Sequence, residues 1–390
     1  MLNPFEFGRE LSPDELVDRE EELSVTSAAM LRGGKLFLIG PRRYGKTSIL
    51  RAATDAAERQ GAVVLRYDAE AFPTLDQLAA RLLADTATRL TGSVEKAGTA
   101  IKEFFASVQP QASFDPASGR WTVSIGIAHA GGGGVPLLAD VLDGVERAAG
   151  KARAPVSVVI DEFQKVVEAG GADAEGQIRA AIQRHRHVGY VFAGSKTRLL
   201  ADMTGEPNRP FYKLGTVRFV GPVPRGPFAD FLQRGFAAAR IPVESGAVDA
   251  ILDAAEEVPY NVQLLAHAVW ETCRADAASA RGRPRTVTPA LVKHVRDTVA
   301  LRYDPLYTRL WSTLTAPQQK VLLALLREPN EGLTSTAVAR RYNLPVPTMQ
   351  TARRALEAKE IIREEQTLGT GRLRLEDPLF GAWIELVIPR

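Results

Sequence analysis

At 390 residues the chain is longer than one ordinary domain and calls for two or three. Basic and acidic residues nearly cancel, 49 against 46, which excludes a generally basic coat for nucleic acid while leaving room for a local basic face. The single cysteine, Cys273, excludes an internal disulfide and any multi-cysteine metal site. No apolar run approaches the roughly 18 residues that span a bilayer, and the acidic N-terminus is unlike a signal peptide, so a soluble cytoplasmic protein without membrane contact is expected.

In chain order, helical spacing over residues 20–32 leads into an apolar strand at 35–39, a loop at 40–45 and a helix over 46–59. A second buried strand is expected at 62–67, followed by helices at 74–90 and 94–105. Polar–apolar alternation over 111–127 around Asp115-Pro-Ala-Ser-Gly119 predicts a hairpin, an insertion at about 108–130. The glycine run 131–134 should be flexible. A helix at 137–149, a strand at 155–160, a helix at 176–185, a strand at 187–193 and a fifth strand at 216–220 complete an alternating pattern. Such alternation predicts parallel βαβ units and a three-layer α/β domain over 1–221. From 222 to 300 the pattern is helical throughout, at 228–239, 246–255, 261–275 and 289–299. The remaining 301–390 is expected to form helices at 316–326, 334–342 and 347–358, then two strands at 361–365 and 372–375. That is helix-turn-helix spacing followed by a wing.

Gly40-Pro41-Arg42-Arg43-Tyr44-Gly45-Lys46-Thr47 fits G-x-x-x-x-G-K-[ST] between an expected strand and an expected helix. Its backbone N–H groups and the helix N-terminus are suited to phosphate oxygens. Lys46 is the candidate bridge to the β- and γ-phosphates, Thr47 the Mg²⁺ ligand, and Ser48 a further phosphate donor. Asp161 and Glu162, closing the apolar run Val156-Ser-Val-Val-Ile160, are candidates to hold the metal and to orient or deprotonate water. Ser195 after the fourth strand is read either as a γ-phosphate or water contact or as a helix N-cap.

These motifs together make the chain resemble the archaeal-type ATPase family, of the STAND branch of AAA+-like P-loop ATPases. It is also similar to the initiator ATPases of replication origins. The resemblance runs through Asn3-Pro-Phe-Glu-Phe-Gly8, Leu16-Val-Asp-Arg-Glu-Glu-Glu-Leu23, the phosphate loop, Asp161-Glu162, Arg209-Pro-Phe-Tyr212, Val258-Pro-Tyr260 and Asp377-Pro-Leu-Phe-Gly-Ala-Trp383. It implies an ATPase domain, a helical lid over 222–300, a C-terminal winged helix, and ATP with Mg²⁺ as ligands. It implies that Val17, Asp18 and Arg19 lie against adenine, with core packing for Val17 and an ion pair for Arg19 as the alternative. It makes Pro259 a nucleotide contact or a plain helix start, with Glu257 standing where relatives carry glycine. Arg209, then Arg218, are candidates for an arginine acting on the γ-phosphate.

On the third helix of the C-terminal domain, Thr348, Gln350, Thr351, Arg353 and Arg354 are candidate contacts to double-stranded DNA, with Arg363, Arg372 and Arg374 from the wing. Residues 301–390 carry thirteen basic against ten acidic residues, so DNA affinity requires that charge to be clustered. Two functions stay open: an ATP/ADP-controlled switch coupled to DNA, and a signalling or scaffold ATPase whose winged helix binds a protein or a second copy.

Overall fold

The computed structural model describes residues 2–91, 110–115, 120–125, 135–279, 284–328, 332–333, 335–367 and 370–389. The chain forms two compact units, Glu10–Pro222 and Met1–Arg9 with Val223–Arg390. The expected helix at 94–105 and the glycine run 131–134 fall outside the described residues.

The first unit is built on five parallel strands, β1 (Lys35–Ile39), β2 (Val63–Asp68), β5 (Val156–Asp161), β6 (Val188–Gly194) and β7 (Thr216–Phe219), in the order β2-β5-β6-β1-β7. β5 and β6 are buried along their whole length, which is why they read as unbroken apolar runs. The helices are α1 (Glu20–Leu31), α2 (Lys46–Arg59), α3 (Leu75–Thr91), α4 (Val135–Ala149), α5 (Gln164–Ile182) and α6 (Thr197–Gly205). Phe37, Phe163, Phe192 and Phe211 form an aromatic knot in the core, with Phe163 and Phe192 4.3 Å apart by ring centroids. The expected hairpin is present as β3 (Pro110–Asp115) and β4 (Arg120–Ile125), antiparallel with Asp115 opposite Arg120.

α5 begins twelve residues before the expected helix at 176, because Gly171 (φ 65°, ψ −163°) kinks it and interrupts the helical pattern between its halves. Strand register locates the functional edge of the sheet. Ile39 pairs with Gly194 and with Phe219, and Asp68 with Asp161, so the C-terminal ends of all five strands share one edge. In open α/β sheets that edge is where ligands bind.

The second unit is helical from α7 (Arg225–Ala238), α8 (Ala247–Ala254), α9 (Pro259–Ser279) and α10 (Pro289–Arg302) to α11 (Asp304–Ser312). Phe5 of the N-terminal segment is fully buried here against Phe231 and Phe236. His267 Nδ1 donates to the Phe5 carbonyl at 2.7 Å, and the Asn3 amide donates to the His267 carbonyl at 3.2 Å. α12 (Ala316–Arg327), α13 (Thr336–Arg341), α14 (Val346–Ala358), β8 (Ile362–Thr367), β9 (Thr370–Leu375) and α15 (Pro378–Val387) complete it. α12 starts at a capping box of Thr315 and Gln318, and Ser335 caps α13. Trp383 is buried against Tyr307 and Phe380, and its indole N–H donates to Asp304 at 2.8 Å. No helix among the described residues is long and apolar enough to cross a membrane.

Candidate active site

The loop after β1 and the start of α2 carry the G-x-x-x-x-G-K-T motif. Its two glycines answer to different demands. A Cβ on Gly40 would lie 2.6 Å from the Val220 carbonyl, so only glycine lets the strand pass there. Gly45 has φ 86°, the left-handed turn that starts α2 at Lys46. Tyr44 is buried and anchors the loop, while Arg42 and Arg43 face outward, Arg42 3.6 Å from Glu70. The Lys46 side chain folds back across the loop and donates from Nζ to the Pro41 carbonyl at 2.9 Å. The Ser48 hydroxyl accepts from the Leu11 N–H at 3.0 Å and so ties the incoming segment to α2.

Asp161 closes β5 and is buried. Its Oδ2 accepts from the Thr47 hydroxyl at 2.8 Å and its Oδ1 from the Glu162 N–H at 2.9 Å. Burial pushes its carboxyl pKa up, against the pull of those two donors. A hydroxyl and a carboxylate held together suit a hard, oxygen-seeking cation such as Mg²⁺, whose charge would relieve the cost of burying Asp161.

Glu162 takes φ 49°, a left-handed conformation that costs a non-glycine residue of order 1 kcal/mol. Its Oε2 accepts from the Ser195 hydroxyl at 2.7 Å, from the Ser195 N–H at 3.2 Å, and from the Gln164 amide. Burial alone would raise the Glu162 pKa, but these hydrogen bonds and the nearby Lys46 charge outweigh it and hold the group below the usual glutamate range. The carboxylate is therefore ionised at neutral pH and able to accept a proton from water. Ser195 does not cap α6, whose N-cap is Lys196; its hydroxyl is engaged by Glu162.

Arg19 is buried and donates to the Gly221 carbonyl at 2.7 Å, with Glu22 at 3.6 Å, so it pins the segment before α1 to the chain leaving β7. Its neighbours Val17 and Asp18 are half-buried and exposed. Arg209 sits in a cleft of about 530 Å³ and is bound through Nε at 3.1 Å, and through Nη2, to the buried Glu175. Arg218 is paired with Glu21 at 2.5 Å and with Glu22 at 3.5 Å. Both candidate arginines are thus engaged within their own unit. Sequence reasoning missed Gln164 and Glu175; a polar residue on a face otherwise made of Phe163, Val166 and Val167 was the available signal for the first.

In the second unit, Pro259 occupies the first position of α9. Glu257 takes φ 60°, which explains why glycine suits this position, and it accepts from Arg225 at 2.7 Å. On α14, Gln350, Thr351 and Arg354 are exposed and Thr348 half-buried. Arg353 is held by Glu357 at 2.7 Å and Glu364 at 3.1 Å. Two of the expected wing contacts are engaged within their own unit. Arg363 turns inward to the Leu375 carbonyl and Glu376, and Arg374 is paired with Glu256 at 3.4 Å. Arg372 lies on β9 opposite Glu365.

Residues 305–386 match the family described as "probable winged helix domain". No curated protein matches the chain. Among solved structures, a Walker-type ATPase of Pyrococcus abyssi is 17% identical, with 98% of this chain and 99% of that chain covered and a TM-score of 0.59. The ORC2 protein of Aeropyrum pernix, solved as ADPNP–ADP complexes, is 13% identical over 98% and 97%, with a TM-score of 0.55. At these identities the likeness carries the fold. The strand order, the phosphate loop and the C-terminal match together define a P-loop ATPase fold followed by a winged helix. Both of those solved structures match the fold over nearly the whole of this chain.

Proposed function

We propose that the protein binds ATP with Mg²⁺, hydrolyses it slowly, and uses the nucleotide state to control the hold of its winged helix on double-stranded DNA. The observation that carries the hydrolytic part is the Glu162 carboxylate, one residue beyond Asp161, held by Ser195 and at the same sheet edge as the phosphate loop. In this reading the loop N–H groups and Lys46 cradle the phosphates, while Thr47 and Asp161 hold the metal. Mg²⁺ neutralises phosphate charge when bound. Glu162 takes the proton of the attacking water, and Ser195 keeps Glu162 in place. Val17, Asp18 and Arg19 are proposed around the base, and Arg209 as the arginine directed at phosphate once released from Glu175.

A second reading has its own observation. Arg353 and the wing arginines Arg363 and Arg374 are all bound to carboxylates or carbonyls, which leaves Arg354 as the exposed arginine of α14. So little free charge among the described candidate contacts fits a protein partner or a second copy of the chain.

ATP hydrolysis by the wild type and by Glu162→Gln, each with and without double-stranded DNA, separates the two. Stimulation by DNA in the wild type, lost by about 100-fold or more in Glu162→Gln while ATP still binds, supports the DNA-coupled switch. Hydrolysis indifferent to DNA moves the reading to a protein partner.

A further inference from the structure

Gln164 is the first residue of α5 and is fully buried, yet neither the metal nor the phosphate roles above require it. Its amide nitrogen donates to Glu162 Oε2 and lies 3.2 Å from the Ser195 hydroxyl oxygen. Its amide oxygen is buried without a partner. The opposite placement of the amide would set its oxygen against the Glu162 carboxylate, acceptor against acceptor, so the nitrogen belongs where it is. Leaving a buried acceptor unmade costs free energy, of order 1–3 kcal/mol. A side chain tolerated at that cost is one whose other end matters. The chain also makes room for it: a Cβ on Gly194 would collide with this same Gln164 oxygen, and would come within 2.5 Å of Leu200.

We infer that Gln164 is a positioning residue for hydrolysis: with Ser195 it saturates Glu162 Oε2, fixes the carboxylate, and leaves Oε1 as the oxygen that meets water. Three donors converge on Oε2, whereas among the described residues none reaches Oε1. The division is useful chemistry. As the water oxygen bonds the γ-phosphorus and the bond from that phosphorus to the ADP oxygen breaks, the water proton passes to Oε1. An oxygen already holding three donors has no lone pair directed outward for that proton. Because Gln164 starts a helix, its aim is set by a rigid element and not by a loop.

This inference rests on the hydrolytic reading, and the test separates the two. Steady-state ATP hydrolysis with Mg²⁺ is measured for the full chain as wild type, Gln164→Met, Glu162→Gln and the double variant. Affinity for a fluorescent ATP analogue and the thermal unfolding midpoint are measured alongside. Methionine keeps the volume and burial but removes the donor. The expected result for Gln164→Met is kcat lower by about 10- to 100-fold, the range seen when a group orienting a reactive one is lost. KM and analogue affinity should stay within about 3-fold, because binding groups are untouched. In the Glu162→Gln background the same change should have no further effect, since Gln164 acts through Glu162. Should Gln164→Met fold poorly, Gln164→Asn, which keeps an amide too short to reach both partners, carries the same expectation. A hydrolysing wild type beside an unchanged kcat in these variants overturns the inference alone, as does an equal further loss in the Glu162→Gln background. A wild type that binds ATP and never hydrolyses it overturns the hydrolytic reading and the inference together.

Discussion

Gly40 and Gly45 carry the same letter in the phosphate loop for unrelated reasons, and substitution can tell them apart. At Gly40 the obstacle is space, since the added carbon meets a backbone carbonyl that cannot rotate away. Gly40→Ala should destabilise the ATPase unit by about 1–3 kcal/mol, the usual cost of forcing an extra carbon into a packed place. At Gly45 nothing stands within 4 Å of a Cβ, and the obstacle is φ 86° alone. Asparagine tolerates the left-handed region better than other side chains, so Gly45→Asn should cost less than about 1 kcal/mol. Urea denaturation of the two variants checks the order, and a larger loss at Gly45 would show that the loop is held differently. Lys46 is a third case: its Nζ is held by a loop carbonyl, a partner it can exchange for phosphate. Lys46→Ala should abolish analogue binding and lower the midpoint of unfolding as well, because the side chain is buried and its charge favours the ionised Glu162.

At the scale of elements, the entry into β6 depends on one carboxylate of α4. Glu146 accepts from the N–H groups of Arg186 at 2.8 Å, His187 at 3.0 Å and Val188 at 3.1 Å, and from His187 Nδ1 at 2.8 Å. Burial pushes its pKa up, but these hydrogen bonds pull harder and hold it below the ordinary glutamate value of 4.5. Linkage gives the sign: a lowered folded pKa contributes stability that is present above 4.5 and lost as pH falls through the folded value. Glu146→Gln should thus unfold more easily than the wild type at pH 7, and the gap should narrow as pH falls below 4.5 toward the folded value, read by denaturant titration across that range. None of this clamp was legible in the sequence, because it joins residues some forty positions apart. The legible part is what repeats locally: the apolar runs of β1, β2, β5 and β6, and the helix start at Lys46. α15 escaped because Pro378 to Ile384 are buried on every side and show no polar face to mark a period. The phosphate loop was readable as a motif, and Asp161 as the end of a strand. The partners that fix Glu162 were not, since Ser195 arrives from a different strand and Gln164 looks like one more residue of a buried turn. On α14 the Arg353–Glu357 spacing of four could have warned that this arginine is spoken for, whereas Glu364 comes from β8.

For the whole molecule, the proposal of a switch is a statement about free energy shared between two ligands. The chain passes between its two compact units twice, at Arg9–Glu10 and at Pro222–Val223, so the unit holding the phosphate loop is covalently tied to the unit holding the winged helix at both ends. The electrostatic part of DNA binding should be small, because the chain carries only +3 and Arg353 is already paired. Arg354→Ala should lower the slope of log affinity against log salt by about 0.9, the release expected from one lost phosphate contact. Arg353→Ala should change that slope less and the stability of α14 more. Coupling is tested by reciprocity: if a non-hydrolysable ATP analogue raises affinity for double-stranded DNA by some factor over ADP, DNA must raise affinity for the analogue over ADP by the same factor. A useful switch needs a factor of about 5–150, which is 1–3 kcal/mol. Both halves of the cycle can be measured by fluorescence titration on the Glu162→Gln protein, in which ATP itself persists long enough to serve as the ligand. A factor of one, with DNA still bound, would mean that the winged helix holds DNA without hearing from the nucleotide, and the control would then have to act on a protein partner.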